Sequence, residues 1–106
     1  MSAHDEQQAH HLDDLATTFR TRQEQGYTHI NAVGITQARI DALEAGAAAL
    51  RRASPETGWR TLLEAEYANQ LRERHDAARL GNTATCARHD YAGQVIARLL
   101  AEVPHA

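Results

Sequence analysis

The 106-residue chain has no lysine, a single cysteine, two prolines, five aromatic residues and no long apolar run. Each shortage excludes something. With only Cys86, no internal disulfide can close and no cysteine-rich zinc framework can be assembled. Without lysine, the Gly-rich phosphate loop that ends in a lysine ammonium is impossible. No segment approaches the roughly 20 apolar residues that span a bilayer, so no membrane partner is expected. The stretch Met1 to Glu6 is acidic and lacks the apolar core of a signal peptide. A cytoplasmic location is the simplest expectation. Both serines, Ser2 and Ser54, stand where a helix would begin and are explained as helix caps. No catalytic residue is assigned, no enzyme activity is expected, and no cofactor is called for.

What is present favours helices. Alanine supplies 21 residues and leucine ten, against four isoleucines and three valines. Alanine is the best helix former, and β-branched residues, which favour strands, are scarce. The expected fold is all-α, a compact bundle of four main helices forming one domain over 1–106. The core must be thin and mostly aliphatic.

Apolar spacing places the helices. Ala9, Leu12, Leu15, Ala16 and Phe19 keep the i, i+3, i+4, i+7 rhythm of one helical face, with Ser2 as a cap before it and Gly26 as a stop. The segment Tyr27 to Gly34 is ambiguous. Thr28 can cap a short extra helix near 28–33, and Gly34 can end it. Thr36 can cap the second main helix, carried by Ile40, Leu43, Ala47 and Leu50. Ser54-Pro55 ends that helix and starts the next, because proline disfavours the α region before it and suits a first helical turn. On the third helix Trp59, Leu63, Tyr67, Leu71 and His75 recur every four residues, and Gly81-Asn82 closes it. The fourth starts near Thr83 or Thr85. Cys86, His89, Ala92, Ile96, Leu99 and Val103 line its inner face, Val95 beside them, and Pro104 ends it.

Seven histidines raise the question of a metal. Cys86 and His89 share a helical face, and His75 lies on the neighbouring stripe, so two antiparallel helices could gather a Cys/His/His set acceptable to zinc or iron. The carboxylates that di-iron bundles pair with their histidines are missing: Arg72 precedes His75 by three, and Cys86 precedes His89 by three. The plainer reading makes His75 and His89 core residues, each satisfied by a neighbouring carbonyl or carboxylate.

Gly34-Ile35-Thr36-Gln37-Ala38-Arg39-Ile40, continuing through Glu44-Ala45-Gly46, resembles the turn and recognition helix of lambda-repressor-like helix-turn-helix domains. Leu15 to Gly26 looks like that family's first helix, and Pro55 with Thr61-Leu62-Leu63 like its fourth. The resemblance implies DNA as a partner. Thr36 would cap the reading helix, Gln37 would meet an adenine edge, and Arg39 a guanine or phosphate. Residues 15–60 carry a small positive excess inside a chain of net charge −3. Asp41, on the exposed face of the same helix, would repel phosphate.

The competing expectation is an interaction module. Helices rich in small residues pack closely against partners, and a small chain with a thin core gains stability by oligomerising. The stripe of Trp59, Leu63, Tyr67 and Leu71 is the candidate face, for a protein partner or a second copy in a dimer. A non-enzymatic protein acting through this face is the first expectation from sequence, and a DNA-reading regulator the second. A His/Cys metal site is the third.

Overall fold

The computed structural model describes residues 3–30, 33–52 and 58–102. Four helices dominate them: α1 (Ala3–Glu24), α2 (Gln37–Arg52), α3 (Trp59–Arg79) and α4 (Thr83–Glu102). The proposed caps and stops at Ser2, Ser54, Pro55 and Pro104, and the core position Val103, lie outside the described residues.

Local chemistry explains the ends. α1 carries Asp5 and Glu6 in its first turn and Arg22 in its last, each the charge that its end of the helix dipole favours. After it the backbone reverses at Gly26: Gly26 donates to the Gln23 carbonyl and Tyr27 to the Arg22 carbonyl, the paired bonds of a Schellman stop. Thr36 caps α2 as expected, its hydroxyl accepting from the Arg39 amide at 3.3 Å. The link from α3 to α4 is minimal. Gly81, at φ +74°, donates to Ala78 while Asn82 donates to Ala77, and the Asn82 side chain accepts from the Thr85 amide at 3.1 Å. One asparagine therefore ends one helix and caps the next.

The described residues 28–30 and 33–34 differ from the short extra helix expected there. They hold a two-residue antiparallel ladder, β1 (His29–Ile30) against β2 (Val33–Gly34). It is extended by a bond from the Ile35 amide to the Thr28 carbonyl at 2.8 Å. Thr28, Ile30, Val33 and Ile35 are β-branched, so this stretch concentrates the residues that favour extended backbone. Alternation then buries Val33 and Ile35.

The helices form two hairpins, α1 with α2 and α3 with α4, which meet chiefly where α2 lies on α3. Leu12, Leu15 and Phe19 from α1, Ile40 and Leu43 from α2, Leu63 from α3, and Val95 and Ile96 from α4 are essentially inaccessible to solvent. Each such side chain contributes about 1.5–3 kcal/mol on leaving water. Gly46 sits where all four helices converge. A Cβ there would stand 2.9 Å from a Leu12 methyl and 3.2 Å from a Leu63 methyl. Its missing side chain lets α2 approach its neighbours.

Candidate functional site

Four of the seven buried residues of α3 are polar. The face begins with Trp59 and Leu63, then continues through Glu66, Gln70, Glu73 and Asp76. Charges are rarely buried unless paired, and the partner here is Arg39 of α2, only 4% exposed. Its Nε and Nη2 donate to the two oxygens of Glu66 at 2.8 and 2.9 Å. Its Nη1 donates to Glu73 Oε1 at 2.9 Å and to the Gly34 carbonyl at 3.1 Å. The guanidinium also lies over the Phe19 ring, 4.6 Å from its centre, a favourable cation–π arrangement. Burial works against this charge, but the bonds to Glu66 and Glu73 outweigh it and hold the guanidinium above its usual pKa.

The two carboxylates are served unequally. Glu66 accepts four donors: two from Arg39, one from Asn69 at 3.1 Å and one from Gln70 at 2.7 Å. Glu73 receives Arg39 on Oε1, while its Oε2 is buried without a hydrogen bond. Burial pushes the Glu73 carboxyl above its ordinary value, Arg39 pulls it back, and Glu66 and Asp76 add to the rise.

This asymmetry sets the state of His89 on α4. Glu66 can only accept from Gln70, so the Gln70 amide nitrogen must face it and the amide oxygen must face away. That oxygen lies 2.7 Å from His89 Nδ1. Nδ1 must therefore carry the proton, and the neutral ring is the Nδ1–H tautomer. The orphan Glu73 Oε2 stands 3.2 Å from the same nitrogen. Burial, followed by the charges of Arg39, Arg88 and His11, holds the His89 pKa down to about 4.

With Nδ1 committed inward, Nε2 is the nitrogen left for the other side, and it has no hydrogen-bond partner among the described residues. There His89 forms part of the lining of a cleft of about 380 Å³ between the C-terminal half of α1, the Tyr27–His29 segment and the first turns of α4. Leu15 and Phe19 supply its apolar lining, and Thr18, Asn82 and Thr85 its neutral polar groups. Arg22, Arg88, His29 and His89 complete it with Tyr27, and among the described residues no carboxylate lines it. Arg22 lies over the Tyr27 ring at 5.5 Å, and Arg88 donates to the Thr18 hydroxyl at 3.0 Å. Arg20, Arg51, Arg74 and Arg98 each pair with a carboxylate. Neither Arg22 nor Arg88 does so among the described residues.

The residues singled out in the sequence fall elsewhere or serve otherwise. Thr36 and Gln37 are exposed, and Gln37 donates to Asp41 at 2.9 Å. Arg39 points inward and is spent on Glu66 and Glu73. Trp59 and Leu63 belong to the core, so they are covered within the chain, while Tyr67 and Leu71 are half-buried. His75 is exposed and lines a different, more open depression with Leu71, Arg72 and Asp76. Cys86 is half-buried and lines neither hollow. The trio His75, Cys86 and His89 therefore does not meet in either hollow, and no group of three metal-binding side chains occurs among the described residues. Sequence reasoning missed Glu66, Gln70 and Glu73 altogether.

No family model, curated protein or solved structure matches this chain. Among the described residues no helix is long and apolar enough to cross a membrane.

Proposed function

We propose that the chain is a non-enzymatic binding protein of the cytoplasm that holds a small molecule in the cleft over His89. One observation carries the reading. A nearly fully buried histidine that lines the cleft is fixed in a single tautomer by an internal network, and its other nitrogen has no hydrogen-bond partner among the described residues. A nitrogen held in one protonation state and left without a protein hydrogen bond is ready for a ligand, and a ligand group in the cleft completes the ring's hydrogen bonding. The combination of apolar and polar lining suits a small organic molecule.

Catalysis has less to support it. Among the described residues the cleft offers no carboxylate and no thiol, and no hydrogen bond joins His89 to a cleft hydroxyl that it could activate as a nucleophile. Docking of a protein or a second copy on the Trp59–Leu71 stripe is disfavoured because Trp59 and Leu63 already fill the core. DNA reading through Arg39 would require that residue to leave two buried carboxylates.

The test is a fragment screen followed by backbone amide shifts. Binders should move amides in 15–29 and 82–89 together and leave 71–76 still. Binders that consistently move 71–76 instead, or no binder at millimolar concentration, would dismiss the cleft.

A further inference from the structure

The charge around the cleft and the open hydrogen-bonding of the network beneath it define the class of ligand, on the premise that the cleft is the binding site. We propose that the ligand is an oxyanion on an apolar or aromatic body (a carboxylate, or a phosphate or sulfate ester) and that it enters with one proton, which His89 takes on Nε2.

The first half follows from the lining. Among the described residues four basic side chains and no acidic one border a cleft in a chain of net charge −3. Arg22 and Arg88 have no carboxylate to compete for them among the described residues. The first turn of α4, capped by Asn82, adds the positive end of its dipole to the same wall. Leu15, Phe19 and Tyr27 leave room for an apolar body beside the charged group.

The second half follows from counting charge and hydrogen bonds. Arg39, Glu66 and Glu73 together carry one net negative charge while His89 is neutral. In that state Nε2 presents a lone pair to the cleft, which repels an oxyanion. A proton moved from solvent to Nε2 changes three things at once. Nε2–H becomes a donor to the anion. The cluster becomes neutral. The Nδ1–H, now on an imidazolium, is attracted to Glu73 Oε2 at 3.2 Å as well as to Gln70, so the orphaned oxygen gains a charged partner.

The groups facing His89 explain why the proton needs the anion. His11 from α1, Arg39 from α2 and Arg88 on α4 oppose the imidazolium, as does its burial. Arg22 and His29 share the cleft wall. Among the described residues Glu73, with Glu66 behind it, is the negative charge that favours it from inside, and the Gln70 oxygen accepts its Nδ1–H. An oxyanion seated among Arg22, Arg88 and His89 supplies the missing opposite charge, and a group flanked by opposite charges holds its proton more firmly. Anion and proton therefore bind each other's occupied state more tightly, a reciprocal linkage.

Benzenesulfonate is a suitable probe because its own charge does not titrate near neutrality. Calorimetric titration of the intact chain with it at pH 7, in bis-tris and in Tris, separates proton uptake from binding heat, and neither buffer is an anion. The expected result is saturable binding with close to one proton taken up per probe bound. Affinity should fall towards tenfold per pH unit above pH 7, and the neutral benzenesulfonamide should not bind. His89→Gln should abolish both the uptake and the pH dependence, and Arg88→Ala should weaken binding at least tenfold while leaving the melting temperature within a few degrees. Saturable binding without proton uptake would overturn the coupling and leave the cleft standing. Failure of benzenesulfonate, benzoate and phenyl phosphate alike would overturn the ligand class. Binding indifferent to Arg88→Ala would place the site elsewhere and overturn the cleft itself.

Discussion

Replacing Arg39 by methionine removes the only cation among the described residues that contacts Glu66 and Glu73, at 1% and 0% exposure, while roughly preserving volume. Breaking a buried pair by deleting one partner typically costs about 3–5 kcal/mol. A ceiling comes from the carboxyls themselves, since each can escape by binding a proton. Starting from an ordinary value of 4.5, that escape costs about 1.4 kcal/mol per pH unit, hence roughly 3.4 kcal/mol at pH 7 and about 0.7 at pH 5. The destabilisation of Arg39→Met, measured by urea unfolding against wild type at each pH, should therefore be about 3–5 kcal/mol at pH 7. It should shrink by about 2–3 kcal/mol at pH 5. If the variant is unfolded at pH 7, recovery of a cooperative transition at pH 5 carries the same information. Arg39→Lys, which keeps the charge but loses the forked contact with Glu66, should fall between the two proteins. A loss below about 1 kcal/mol, of the size seen for exposed pairs, or one independent of pH, would refute the buried network.

Three further outcomes are expected. Gly46→Val adds methyl groups where a Cβ already meets Leu12 at 2.9 Å, and should cost about 1–3 kcal/mol by overpacking; an unchanged urea midpoint would contradict the four-helix convergence. Asn82→Ala removes the cap of α4 and should cost about 1 kcal/mol, read as a lower melting temperature. The pH profile separates His89 from Glu73. His89 falls from 6.5 to about 4 on folding, so the native state binds fewer protons than the unfolded state in that window, and this contribution to stability is lost as pH falls. Glu73, raised by burial, has the opposite slope, losing stability as pH rises from 4.5. His89→Gln removes the first contribution, so its penalty relative to wild type should be smaller at pH 4 than at pH 7 by on the order of 2 kcal/mol. An equal penalty at both would contradict a neutral buried His89.

The helices were legible because apolar spacing reports burial directly: Leu12, Leu15 and Phe19 on α1, and Ile40, Leu43, Ala47 and Leu50 on α2, are buried as their rhythm implies. The third helix shows how that reading fails. A stripe taken every four residues from Trp59 through Tyr67 and Leu71 to His75 advances 400° per step, so it drifts 40° each time and leaves the core. Continued at 3.6 residues per turn, the buried line runs through Leu63 to Glu66, Gln70, Glu73 and Ala77. Those polar letters hid it. Arg39 was hidden in the same way. Its 4-3-4 spacing to Leu43, Gly46 and Leu50 puts it on the inner face of α2, yet its charge argued for solvent or a phosphate. A helix face that combines one arginine with two glutamates from another helix is a detectable signal only once both faces are phased correctly. The cleft had no such signal, because Arg22, His29, Asn82 and Arg88 come from three separate segments that only the fold brings together.

The most direct test is the nitrogen spectrum of the His89 ring in uniformly labelled protein, recorded at pH 7 with and without benzenesulfonate. The network and the cleft together predict a proton on Nδ1 and a bare Nε2 in the free protein, converting to a ring protonated on both nitrogens as the probe saturates. A free ring protonated on Nε2, or a spectrum that ignores the probe while it binds, would contradict the account.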